Sequence, residues 1–192
     1  AQTAQRIVSG GARSAFALCR PPGHHAAKDM YGGYCFLNNA AIAAQMFLND
    51  GASRVAILDP DFHHGNGTQD IFYDRDDVLF ASLHGAPEHA FPHFLGYEDE
   101  KGAGKGEGFT VNFAMPPNTG YDEWGSAMDD AIKRIEAYSP DALVVSLGVD
   151  TFERDPISFF KLKSDDFTDY GSRIAKLKLP TLICMEGGYA VE

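Results

Sequence analysis

A chain of 192 residues with 44% hydrophobic side chains is long enough for one ordinary domain with a real core. Its formal charge of -11 argues against nucleic acid as a partner, because that would need clustered Lys and Arg; it suits a cationic small substrate, although net charge also serves solubility. Twenty glycines and ten prolines fit a loop-rich folded protein rather than a disordered one, and no apolar run is long enough to span a bilayer.

The first residues, AQTAQRIVSGGARS, lack a signal-peptide core and an initiator Met and read as the end of a helix. The expectation is therefore a single domain over residues 1–192 that is incomplete, truncated at both ends. A first strand is predicted at Ala15–Arg20, followed by the polar PPGHH segment. An Ala-rich helix follows at Leu37–Asn49, with Gly51 in its C-cap region. Val55–Leu58 is the second strand and runs into DPDFHHGNG. Val78–Leu83 is the third, and the region after it holds His84, His89 and His93, to which no catalytic role is given. The glycine-rich KGAGKGEG stretch (101–108) reads as a loop, since the strand, GK[ST] and helix context of a phosphate cradle does not follow. Phe109–Asn112 is the fourth strand. Tyr121–Tyr138 places Trp124, Met128, Ala131, Ile132 and Ile135 on one side at helical spacing, and Ser139-Pro140 stops it. Ala142–Leu147 is the fifth strand, ending in Gly148-Val149-Asp150. A helix at Asp165–Leu177 carries acidic residues in its first turn and Lys176 near its end, as the helix dipole favours. Thr181–Met185 is the sixth strand and ends in EGGY.

Short apolar strands alternating with helices predict an α/β fold built on a mostly parallel sheet. Three cysteines (Cys19, Cys35 and Cys184), odd in number and irregularly spaced, give no disulfide framework; they read as reduced, buried thiols of a cytoplasmic protein.

The polar residues concentrate after strands. His24 and His25 follow the first, Asp59, Asp61 and His63 the second, Asp150 the fifth and Tyr189 the sixth. Ligands of open parallel sheets bind at that carboxyl edge. Residues two apart in extended chain face the same way, so Asp61 and His63 can grip one ion with Asp59 deeper on the same face. Asp150 is the natural third ligand. Two carboxylates and one imidazole, with a position left for water, describe a catalytic rather than a structural metal site. Taken singly, each feature has an ordinary reading: DxDxH as a turn, the tandem histidines as surface residues, Asp150 as a helix cap, Tyr189 as part of a turn. Their convergence on one sheet edge is the argument against those readings.

The segments RPPGHHA, GGYCFLNNAAIAA, DPDFHHGNGTQDIFY, SLGVDTFERDPISFFKL and MEGGYA resemble the histone deacetylase and acetylpolyamine amidohydrolase superfamily, over nearly the whole chain from Ala15 onward. FLGYEDEKGAGKGEG, the SLGVDTFERDPISFFKL run, MEGGYAVE and Asn66 in HHGNG are most similar to the bacterial acetylpolyamine amidohydrolases. The resemblance implies a three-layer α/β/α fold of the arginase/deacetylase kind. It implies one zinc ion held by Asp61, His63 and Asp150, and proton handling by His24, oriented by Asp59, and His25, oriented by Asn66. Tyr189 would donate to the reacting carbonyl, Tyr34 and Phe91 would wall a substrate tunnel, and His64 would stand behind the ligands. Asp59 and Ser82 resemble a potassium site. The implied reaction is zinc-dependent deacetylation of an acetylated polyamine, with acetyl-lysine as the alternative substrate, in a full-length protein that is a homodimer and draws acidic substrate-binding residues from outside this chain. A non-catalytic acyl-amine binding module is disfavoured because Tyr189 and both histidines are kept, and an arginase-like two-metal hydrolase because only one metal's worth of ligands is visible.

Overall fold

The computed structural model describes residues 1–191; Glu192, the last residue of the expected domain, lies outside the described residues. In chain order the elements are α1 (Gln2–Ser9), β1 (Ser14–Ala17), α2 (Asn39–Asn49), β2 (Val55–Asp59), α3 (Asn66–Phe72), β3 (Val78–Gly85), a 3₁₀ turn (Gly104–Gly106), β4 (Thr110–Met115), α4 (Tyr121–Tyr138), β5 (Ala142–Leu147), α5 (Ser164–Ala175) and β6 (Thr181–Met185). The strands form one sheet in the order β1-β6-β5-β2-β3-β4, and all of its neighbours are parallel.

Strand pleating explains the three layers. Alternate residues of β2, β3 and β5 face opposite ways. Ala56, Leu58, Leu79, Ala81, Leu83, Leu143 and Val145 pack with Trp124, Met128, Ala131 and Ile135 of α4 and Tyr170 of α5. Val55, Ile57, Val78, Phe80, Ala142 and Val144 pack on the other side with Ala4 and Val8 of α1 and the alanines and Phe47 of α2. Every residue of β2 and β3 is buried, which is why these strands read as continuous apolar runs rather than alternating ones. The small alanines of α2 let it lie close on the sheet, and its N-cap is Asn38, whose side chain accepts from the Ala41 N–H.

The predicted Tyr121–Tyr138, Ala142–Leu147 and Thr181–Met185 match the observed elements end to end. The first strand is shorter than expected, stopping at Ala17, and β3 and β4 run further, to Gly85 and Met115. Helix α3 was not expected. Of its buried residues, Asn66, Gly67, Thr68 and Gln69 are polar or small and only Phe72 is large and apolar, so it carries no apolar period to read. The expectation of three buried thiols needs one correction: Cys35 and Cys184 are buried, but Cys19, beyond the end of the edge strand β1, is only partly covered. Among the described residues, no helix is long and apolar enough to cross a membrane.

Candidate metal centre

Strands β1, β6, β5 and β2 are consecutive neighbours in the sheet, and the segments that leave their carboxyl ends carry the polar residues anticipated from the sequence. One ligand atom each from Asp61, His63 and Asp150 lies within 4.8 Å of the others, and among the described residues this is the one group of three or more His, Cys, Asp or Glu side chains so placed. The Nδ1 of His63 stands 2.9 Å from Asp150 Oδ2 and 3.3 Å from Asp61 Oδ1. Both carboxylates are fully buried, while 12% of the His63 side chain reaches solvent.

Backbone donors hold the carboxylates in place. Asp61 accepts from the N–H of His63 at 2.8 Å and of Gly187 at 2.9 Å, and Asp150 accepts from the N–H of Phe62 at 2.9 Å. Two glycines make the approach possible: a Cβ at Gly148 would run into the Asp61 carboxylate, and one at Gly187 into both carboxylates.

The donor set fits a divalent cation. Two carboxylates and an imidazole nitrogen converge with room beside them, an open arrangement of oxygen and nitrogen ligands. The charge balance points the same way. Burial, together with the neighbouring Asp61 charge, pushes the Asp150 carboxyl up to about 7. Burial works against a charged His63, yet its hydrogen bonds to Asp150 and Asp61 push it up to about 9. Without an ion, a proton on His63 therefore serves as the cation between two buried carboxylates, a role that a metal fills more fully.

The tandem histidines lie beside this group, with ring centroids 4.0 Å apart. His24 Nδ1 is 3.0 Å from Asp59 Oδ2, and His25 Nδ1 is 2.7 Å from Asn66 Oδ1. Their environments push them in opposite directions. Burial opposes charge on His24, but Asp59 and Asp61 outweigh it and hold the imidazole well above its ordinary value. Burial and then the charge of His24 hold His25 well below. Charge is favoured on the first ring and disfavoured on the second. With Nδ1 donating to the Asn66 carbonyl oxygen, the Nε2 lone pair of His25 is free.

A cavity of about 620 Å³ opens over these groups, lined by His25, His63, Tyr34, Phe91, Phe62, Phe159, Ile157, His89 and Tyr189, among others. Phe91 stands edge-on to His25 with centroids 4.9 Å apart, and the rings of Tyr34 and Tyr189 are 5.9 Å apart. Burial, then the Asp61 and Asp150 charges, raise the Tyr189 phenol above its ordinary value, so it remains a donor. A larger cavity of about 800 Å³ along α1 and β1 is lined mainly by apolar residues and contains none of these side chains.

The remaining anticipated residues lie behind the site. His64 bonds Gln69 Oε1 at 3.0 Å and packs on His84; it does not reach the carboxylate pair. Asp59 and Ser82 are register partners on β2 and β3, both buried, with the Ser82 hydroxyl 2.9 Å from His84 Nδ1. Two residues had not been anticipated. Glu186, buried, accepts from the N–H of Gly23 at 2.6 Å, the N–H of His24 at 3.1 Å and the Ser146 hydroxyl at 2.8 Å, tying three strand ends together. Asp155, also buried, accepts from the Tyr189 N–H. The signal for Glu186 was its place in MEGGY, one residue past a predicted strand, where a carboxylate meets the same edge as the other acids.

A model of the histone deacetylase domain matches residues 1–192. Acetylpolyamine amidohydrolase 1 of Pseudomonas aeruginosa is 66% identical over 192 residues, covering 100% of this chain and 56% of that protein. The acetylpolyamine amidohydrolase of Mycoplana ramosa is 62% identical over 185 residues, covering 96% of this chain and 54% of that protein. The crystal structure of the acetylpolyamine aminohydrolase from Burkholderia pseudomallei superposes with a TM-score of 0.96 at 49% identity, covering 98% of this chain and 55% of the other. The chain thus spans about half the length of the curated relatives it matches.

Proposed function

The chain belongs to the histone deacetylase family, and from that premise we propose that it carries the catalytic centre of a zinc-dependent amidohydrolase that removes the acetyl group from acetylated polyamines. The observation that carries this reading is the convergence of Asp61, His63 and Asp150 within 4.8 Å beside a pair of histidines of opposite protonation preference.

Zinc held by Asp61, His63 and Asp150 would supply Lewis acidity toward the acyl carbonyl and the attacking water. The protein's own groups do the rest. His25, neutral and with Nε2 free, takes a proton from the water as it attacks the acetyl carbon. Tyr189 donates to the oxygen on which negative charge develops. The carbon–nitrogen bond breaks as the leaving amine receives a proton, for which the protonated His24 is suited. Acetate and a free amine result. Groups whose environments push their protonation apart are the expected acid and base of such a site. Phe91 and Tyr34 would line the acyl chain's path and keep water out.

The polyamine rather than acetyl-lysine as substrate is supported by the acidic composition and by what the relatives at 61–66% identity are named to act on. A potassium ion beside Asp59 and Ser82 is a secondary part of the reading, resting on the family resemblance and the burial of that pair. The test is turnover of acetylputrescine and acetylspermidine against an acetyl-lysine peptide, with zinc and after chelation. Preference for the acetylpolyamines, lost on chelation and restored by zinc, is expected; clear preference for the peptide would overturn the substrate, and chelator-insensitive turnover the mechanism.

A further inference from the structure

Tyr189 stands at the end of a tether that its sequence leaves loose. It follows Gly187 and Gly188, and Gly188 has φ of 139, a conformation that glycine adopts freely and other residues rarely do. The tether is fixed upstream, where Gly187 donates to Asp61 and its carbonyl accepts from the Val149 N–H at 2.8 Å. Beyond the second glycine, the Tyr189 N–H is bound by the carboxylate of Asp155 at 2.7 Å, across 34 residues of sequence. Asp155 is 6% exposed, and its other oxygen accepts from the Ile157 N–H at 3.1 Å. Both of its side-chain hydrogen bonds among the described residues go to backbone N–H groups, one on each of two segments that line the cavity.

We infer that Asp155 is a positioning residue for Tyr189: its carboxylate latches the glycine-hinged tyrosine to the segment carrying Ile157 and Phe159, and so sets where the phenol points. The inference rests on the proposed deacetylation and deepens it. A carboxylate suits this task because each oxygen can accept from a different N–H, and such charge-assisted bonds are about twice as strong as neutral ones. An amide in its place offers one oxygen and turns an NH₂ toward the second N–H. Buried charge is expensive unless its bonds are made, and both Asp155 oxygens have theirs.

The test is a double-mutant cycle on the zinc-loaded protein with acetylputrescine. Asp155→Asn should lower kcat about 10- to 100-fold, the scale of displacing a reacting group by about 1 Å, with KM changed less than about twofold. Zinc content should be unchanged. In a Tyr189→Phe background the same substitution should produce no further loss, because its effect passes through the phenol. Losses that multiply across the two variants, or a kcat within about twofold of the parent, would overturn the latch. Should Asp155→Asn not fold, amide exchange on the unaltered protein decides: the Tyr189 N–H should be strongly protected, and exchange at the rate of a free Gly-Gly-Tyr peptide would overturn the assignment. Absence of turnover by the unaltered protein on any acetylated amine would instead remove the proposed function, leaving the exchange measurement to judge the latch.

Discussion

Asp150→Asn separates what the metal centre contributes to function from what it takes from stability. In the metal-free protein the Asp150 carboxyl is pushed from its ordinary 3.8 up to about 7, by burial and then by the Asp61 carboxylate. The folded state therefore binds this proton more tightly than the unfolded state. Stability from the group is fully present below about pH 4 and declines as the pH rises through about 7. The free energy between the two values is about 4 kcal/mol, so above pH 8 the ionised Asp150 destabilises the metal-free fold by that order. Asn has nearly the same shape and does not ionise. Its advantage over Asp in chelator-treated protein should grow by about 2–3 kcal/mol between pH 5 and pH 8 from this carboxyl alone, read from urea unfolding of both proteins side by side so that titrating groups not bonded to Asp150 cancel, with the loss of support for a charged His63 adding in the same direction. With zinc the gap should narrow. The parent gains about 2.7 kcal/mol at a free zinc concentration 100 times its dissociation constant, whereas the variant, having lost a ligand, gains little and turns over no substrate. An Asn variant less stable than the parent at pH 8 without metal would refute the argument that these two carboxylates repel.

Three further outcomes are expected. Tyr189→Phe should keep its zinc and lose about 10²–10³ in turnover, the scale for one preorganised donor; an unchanged rate would remove the phenol from the chemistry. Zinc binding near pH 7.5 should release protons, because His63, pushed up to about 9, must give up the proton on Nδ1 to become a ligand; calorimetry in buffers of different ionisation enthalpy measures it, and buffer-independent heats would contradict the picture. Trp124→Ala, which empties a fully buried site between α4 and the sheet, should cost about 3–5 kcal/mol in chemical denaturation, and a loss under about 1 kcal/mol would show that the core collapses around the gap.

The sheet was legible because its central strands are buried on both faces, so Val55–Leu58 and Ala142–Leu147 appear as short, mostly apolar runs with no alternation to confuse them. Helix α4 was legible because only one of its faces is covered. Helix α3 was hidden by its buried face: most of it is polar or small, presenting Asn66 to His25 and Gln69 to His64, with Phe72 its one large apolar residue, and such a helix looks like a loop in sequence. At the site, residues that follow strands could be expected to meet, since parallel strands place all their carboxyl ends at one edge. Asp155 could not be found that way. It lies in the irregular segment after β5, and its importance comes from a contact with the backbone of Tyr189, which leaves no trace in residue type or spacing.

Two neighbouring histidines, identical in chemistry, end with opposite protonation preferences, and the reason lies in what each can reach. Successive residues diverge, so His24 turns to Asp59 at the end of β2 while His25 turns to Asn66 at the start of α3. A carboxylate stabilises an imidazolium more strongly than an amide oxygen does. Once His24 is charged, its field at 4.0 Å between ring centroids further disfavours charge on His25. The difference is thus reinforced rather than merely inherited from the two partners. A carboxylate in place of Asn66 would make His25 more basic and weaken the contrast between the two rings. The amide at position 66 thus fixes the orientation of His25 without adding a negative charge beside it.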